Sequence, residues 1–352
     1  MKRKFIFVGA LAFVSVFFAV FGLSMQNVQA QGTPPSTISG RSTFPGDFYH
    51  VRVANHQLSI GSPTNEAGRK WGEPIRQVRL TRNYYIGKYP VTLMEFNRVM
   101  NNEVSNRLIG LNNFNGHFRT RGDLPVESVT WYHAIAYCNE RSRLDRLTPA
   151  YTINNTTDSR GRKTITVTWN KNANGWRLPT EAEWEIAARA GTRTAFSFGN
   201  SLTTRQANIS TINRGSYTGL GRTTPVGSYP ANAWGIHDMQ GNVWEWCWDW
   251  YEDYTDAQGR DRTFSGVMTD PSGPSRRPDA EHLMGDGIVI ANVRVLKGGS
   301  WNEGADDSRP ARRAGMPESY YWGDHMESVF GTGGIRAASN GVVGFRIVRN
   351  AP

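Results

Sequence analysis

Cysteine is nearly absent: Cys138 and Cys247 are the two thiols among 352 residues. No Cys-x-x-Cys pair and no Cys/His cluster occurs, so a structural zinc site has nothing to build on. The two thiols lie far apart in the chain. Pairing in an oxidising compartment stays open, but two buried free thiols are the favoured reading. Charge is sparse as well, at 20% of residues, and the excess of 40 basic over 30 acidic groups is scattered. A dense basic stripe or a known nucleic-acid module is missing, so no nucleic-acid partner is expected. No heptad run, collagen period or fixed-length repeat appears, which excludes fibres and solenoids. A phosphate-binding Gly-rich loop, a Gly-x-Ser-x-Gly elbow and a His-Glu-x-x-His pair are all missing. The seven histidines show no ligand spacing.

What is present is aromatic and turn-rich: 12% aromatic residues with 12 Trp, 37 Gly and 17 Pro. Such a chain can bury a large core. Its start reads as a targeting segment. Lys2, Arg3 and Lys4 precede an apolar run from Phe5 to Leu23, and Val28-Gln29-Ala30 forms a small-residue cleavage site. Residues 1–30 are therefore expected to be a signal peptide, with an uncleaved membrane anchor as the alternative. Export to the periplasm, the cell surface or the medium follows. Residues 31–46 read as a linker, and 47–352 as one domain.

Alternation predicts strands at Arg76–Thr81, Tyr84–Lys88, Tyr151–Ile153 and Thr164–Trp169. Thr92 with Glu95, and Thr180 with Glu183, form capping boxes that open helices. A further helix starts near Thr130. Gly191 supplies a helix stop. Glu181, Glu183 and Glu185 are explained by capping and the helix dipole. Trp244, Trp246, Trp248 and Trp250 alternate strictly, so a strand puts them on one face that must be buried or bound. Strands, then two or three helices, then a long irregular stretch make an α+β domain rather than a doubly wound sheet.

Six segments in order resemble the formylglycine-generating enzyme, or sulfatase-modifying factor, family. They are Tyr85–Thr92, Pro125–Trp131, Trp176–Trp184, Asp238–Trp246, Lys297–Trp301 and Gly344–Ile347. The resemblance implies a large, loop-rich C-type-lectin-like fold. It also implies a pair of copper-binding cysteines just after Gly-Gly-Ser. Here that segment, Ser300–Arg313, has none: Glu303 stands about where the first would be and Ser308 near the second. A carboxylate and a hydroxyl are hard ligands and do not replace two soft thiolates. Neither copper nor the histidine-held iron of a related branch is expected, and no catalytic residue is assigned. The family's calcium site, carried across, falls on Asp238, the carbonyls of Gly241 and Val243, and Glu245. The alternative is a turn in which Asp238 caps an amide and Glu245 pairs with an arginine. A second family calcium site would begin at Asn208-Ile209 but has Thr218 where a carboxylate belongs.

The remaining candidate surface is residues 302–340. It holds Asn302, Glu303, Asp306, Asp307, Tyr320, Tyr321, Trp322, Asp324, His325 and Asn340. Rigid aromatics with adaptable polar groups are a binding composition. A non-catalytic protein that binds a protein or glycan ligand is the leading reading. An oxidoreductase with altered chemistry is the rival, and a scaffold that packs its Trp-rich face on a partner is a third. The bracketing Gly-Gly-Ser-Trp and Gly-Phe-Arg motifs are also those of the variable proteins of diversity-generating retroelements.

Overall fold

The computed structural model describes residues 48–100, 121–157, 159, 163–213, 216–256, 258–275, 292–318 and 341–352. The expected signal peptide (1–30) and linker (31–46) lie outside the described residues. Among those described, no helix is long and apolar enough to cross a membrane.

Among the described residues there are three α-helices, and each starts at the expected cap. Helix α1 (Leu93–Val99) has the reciprocal Thr92–Glu95 box, and α3 (Glu181–Arg189) the Thr180–Glu183 box. Helix α2 (Trp131–Leu144) closes the same kind of box with a histidine, since the Thr130 amide donates to His133 Nδ1 at 3.1 Å. Two residues with positive φ stop α3, Ala190 (46°) at the cap and Gly191 (88°) directly after it.

Among the described residues the longer assemblies of strands are three small sheets. In one, β4 (Tyr84–Gly87) lies between β1 (Phe48–Val51) and β14 (Val348–Asn350), which joins the two ends of the domain. A second places β3 (Arg76–Arg79) between β2 (Gln57–Ile60) and β10 (Val267–Thr269). The third carries the candidate site. It orders β12 (Ala314–Pro317), β11 (Val293–Lys297), β9 (Trp244–Trp250) and β13 (Val343–Gly344). Two hairpins complete the set: β5 (Tyr151–Thr157) with β6 (Lys163–Trp169), and β7 (Thr211–Asn213) with β8 (Ser216–Thr218).

The tryptophan strand β9 has both edges paired in its sheet, and residues on both of its faces are buried. Trp244 and Trp246 are buried, and so are the alternating Glu245, Cys247 and Asp249. Trp246 donates to the Val129 carbonyl at 2.9 Å, and Trp248 stacks on Tyr151. The two thiols sit in different hydrophobic clusters, Cys138 beside α1 and Phe345, Cys247 beside α3 and β2. Both are buried and free, and burial pushes both thiols far above the ordinary range.

The three glutamates of α3 do more than cap. Glu181 is held by Arg313 at 2.7 Å and Arg76 at 3.1 Å, Glu183 by Arg177 at 2.6 Å, and Glu185 by Arg189 at 2.9 Å and Lys297 at 3.2 Å. All three are buried, so the dipole account is incomplete: buried carboxylates need cations. Burial opposes ionisation of Glu181, yet Arg313, Arg76 and Lys297 hold it well below the usual carboxylate range.

Candidate functional site

The candidate segment starts at the end of β11. Gly298 and Gly299 are both left-handed (φ 99° and 73°). A Cβ on Gly299 would lie 2.4 Å from Ser308 Oγ, so only glycine lets residues 305–308 fold back on this turn. Those residues form a short 3-10 helix, Ala305–Ser308.

Within this segment the predicted surface residues separate. Asp306 is exposed, and Asp307 is partly exposed and pairs with Arg312 at 2.9 Å. Asn302 is half-buried, with its amide donating to Ser300 Oγ at 3.2 Å. Glu303 points inward and is 5% exposed. Its Oε2 is hydrogen-bonded to the Ser300 hydroxyl, and its backbone carbonyl accepts from the Ser210 amide at 2.8 Å. Burial pushes the Glu303 carboxyl up to about 6, and Asp307 adds to this against the Ser300 and Trp244 hydrogen bonds. Tyr320, Tyr321, Trp322, Asp324, His325 and Asn340 lie outside the described residues.

The described residues on either side of 319–340 are tied to the core. On one side the Glu318 carboxylate takes Arg294 at 2.7 Å and the Tyr132 hydroxyl at 2.7 Å. Arg294 in turn stacks over Trp131 and Trp250, 3.9 and 3.3 Å from the ring centres. On the other side the Gly341 carbonyl accepts from Trp301 Nε1 at 2.8 Å, and the Val342 carbonyl from the Trp244 amide at 2.7 Å.

The positions named for calcium are engaged as follows. Asp238 is buried with φ 55°, and its Oδ2 accepts from the Gly227 amide at 2.6 Å. Burial pushes its carboxyl up to about 6. Glu245 has both oxygens taken: Arg346 binds Oε2 and Oε1 at 2.6 and 2.7 Å, and Trp184 Nε1 donates to Oε2 at 2.6 Å. Gly241 (φ 80°) donates to the Gly298 carbonyl at 2.8 Å, and Val243 is fully buried. Among the described residues no three His, Cys, Asp or Glu side chains gather in a metal-binding cluster. Asn208, of the second candidate site, donates to Asn242 Oδ1 at 3.2 Å, while its own Oδ1 is buried without a hydrogen bond.

Copper does not fit this chain. Positions 303 and 308 carry a buried carboxyl and a buried hydroxyl. The two thiols lie elsewhere, on α2 and β9.

The sequence reading missed one neighbour of the segment. Arg309, fully buried, binds Glu73 at 2.8 Å and Glu66 at 2.9 Å, which straps residues 62–73 against the 3-10 helix. A Cβ on Gly68 would lie 2.3 Å from Asp306 Oδ1. Arg69 pairs with Asp261, whose Oδ1 takes the Gly72 amide at 2.7 Å. Between them Trp71 stands 68% exposed. Nothing in the spacing signals this, because the contact joins residues some 240 positions apart.

The Sulfatase-modifying factor enzyme 1-like domain matches residues 45–351. The chain is 40% identical over 239 residues to the chaperone protein LppX of Paenibacillus barcinonensis, covering 62% of this chain and 77% of that one. It is 34% identical over 158 residues to the formylglycine-generating enzyme of Thermomonospora curvata, covering 41% of this chain and 46% of that enzyme. It therefore spans under half of that enzyme's length. Among solved structures, variable protein 1 of Treponema denticola superposes with a TM-score of 0.58 at 26% identity, covering 86% of this chain and 99% of that one. The fold is the large, loop-rich α+β variant of the C-type-lectin-like type. The chain belongs to the Sulfatase-modifying factor enzyme 1-like family.

Proposed function

We propose that this chain is an exported, non-catalytic ligand-binding member of its family, with its binding surface in residues 302–340 and a protein or glycan as ligand. The observation that carries the reading is the fixing of the residues on either side of 319–340. Glu318 is fixed by Arg294 and Tyr132, and Gly341 by Trp301. Binding groups work best when a rigid base holds them. The missing thiolate pair removes the oxidase chemistry from the same place. The similarity to a protein named a chaperone and to one named a variable protein supports a partner of this kind.

The test is capture of the purified full chain on arrays of purified proteins and glycans. Replacing Tyr320, Tyr321 and Trp322 by Ala is expected to abolish capture and leave the melting temperature nearly unchanged. Aromatic anchors dominate interfaces, whereas truncating a buried aromatic costs about 3–5 kcal/mol. A large loss of stability in that variant overturns the surface role of these rings.

A further inference from the structure

In the sheet of β1, β4 and β14, alternation turns Tyr49, Ile86 and Val348 toward the core and leaves His50, Tyr85 and Arg349 as a row on the other face. All three are half-buried, and Arg52, two residues past His50, is exposed, so the row is open to solvent. The His50 and Tyr85 rings lie 4.7 Å apart. The Arg349 guanidinium sits 5.6 Å from the Tyr85 ring centre and 5.4 Å from that of Trp176. Rings hold it rather than an acid: among the described residues Arg349 forms no ion pair, and its Nε has no hydrogen bond. Its neighbours differ. Arg141, over the same Trp176 ring, has Asp145 at 2.8 Å, and Arg177 has Glu183 at 2.6 Å. Asp145 also acts on Arg349, but its Oδ2 is taken by Arg141 and by Trp176 Nε1 at 2.7 Å. Arg52 Nε donates to His50 Nδ1 at 3.4 Å, which leaves the ring proton on Nε2, a nitrogen without a hydrogen bond. The exposed Arg146 directly follows Asp145 and adds positive charge on that side.

We propose that this row is a second binding face, for a glycan that carries carboxylates, a polymer of the uronic-acid type. The row spans two strand spacings, about 10 Å, so it suits an extended ligand rather than a single ion. Both edges of β4 are paired within the sheet, so side chains alone do the recognising. The half-exposed rings of His50 and Tyr85 offer flat surfaces to the apolar faces of sugar rings. Arg349, already oriented by two rings, and Arg52 present forked donors that match a carboxylate. An acidic peptide or an anionic lipid would meet the charge but leave the ring faces unused. The face belongs to a different sheet from residues 302–318 and stands independently of the 302–340 surface.

The experiment is calorimetry on the full chain with four probes: an oligogalacturonate, a neutral malto-oligosaccharide of the same length, an oligoglutamate peptide and phosphatidylglycerol vesicles. The oligogalacturonate is expected to bind roughly tenfold more tightly than either the neutral sugar or the peptide, and to weaken as salt is raised. Arg52→Gln and Arg349→Gln are each expected to weaken it roughly fivefold. Tyr85→Ala, which leaves the charge untouched, is expected to do the same, a loss that bare charge attraction does not produce. Melting temperatures accompany each variant, and Arg52→Gln, at an exposed position, carries the test if Arg349→Gln unfolds. No binding of the oligogalacturonate, or binding unchanged in both Arg52→Gln and Tyr85→Ala, overturns the face. Equal binding of the peptide or the vesicles overturns the glycan. Binding that is lost on replacing Tyr320, Tyr321 and Trp322 but is unchanged in Arg52→Gln also overturns the face, and leaves the 302–340 surface standing.

Discussion

Arg346 grips Glu245 with two arms: Nε lies 2.6 Å from Oε2 and Nη2 lies 2.7 Å from Oε1, and neither side chain has exposed surface. Arg346 comes from the closing Gly-Phe-Arg motif and Glu245 from the tryptophan strand. The pair therefore joins the end of the chain to its central sheet. Its other bonds, to the carbonyls of Gly87 and His237, carry the tie on to β4 and to the turn that holds Asp238.

Removing one partner of such a pair leaves a buried charge unpaired. Glu245→Gln is expected to cost about 3–5 kcal/mol in chemical denaturation. Calcium is tested beside it. A melting temperature that falls with chelator and recovers with calcium supports a bound ion at Asp238, Gly241, Val243 and Glu245, because ligands of the native state stabilise it. A wild-type curve indifferent to both removes calcium and leaves Arg346 as the partner of Glu245.

Purified protein is expected to hold no tightly bound copper and to leave the cysteine of a sulfatase-type peptide unoxidised. The reason is the carboxyl and hydroxyl at 303 and 308, which are poor ligands for a soft metal. Aldehyde formation above a no-protein control, read by mass spectrometry, contradicts this.

Glu303 gives a pH dependence of definite sign. Burial raises its carboxyl to about 6 in the folded state, above the ordinary value of 4.5. The folded state therefore binds more protons than the unfolded one between these values. The stability it contributes is full below pH 4.5 and is lost as the pH rises through 6. Asp238, raised to about 6, and Asp249, raised to about 7 chiefly by burial and then by Glu181, act in the same direction. Glu303→Gln is expected to be more stable than wild type at pH 7.5 by roughly 1–2 kcal/mol, with the gain fading below pH 5. Denaturant midpoints across pH 4–8 measure it, and a pH-independent difference contradicts it.

Arg309→Ala is expected to cost about 3–5 kcal/mol and to open residues 62–73 to limited proteolysis, because Glu66 and Glu73 lose their shared cation. Arg309→Lys restores little of this. A lysine is a point charge and cannot reproduce the two-armed contact with Glu73. Cleavage that stays at the wild-type rate in Arg309→Ala shows that this pair does not hold the loop.

The local features were legible in the sequence because they depend on near neighbours. The boxes at Thr92 and Thr180 fixed where helices begin, the alternation from Trp244 to Trp250 fixed a strand, and six motifs in order identified the family. The empty Ser300–Arg313 segment was visible for the same reason: the absence of a thiol needs no coordinates. Tertiary structure decided what these residues face. Glu303 reads as a surface acid in a polar segment, but the turn at Gly298 and Gly299 aims it at Trp244. The glutamates of α3 read as dipole partners, yet the helix start is buried among Arg76, Arg313 and Lys297, drawn from three distant strands and loops. Charge pairing across a core is set by long-range packing and has no spacing to read. For that reason spacing could offer Glu245 an arginine without naming Arg346, and it held no sign of the strap from Arg309.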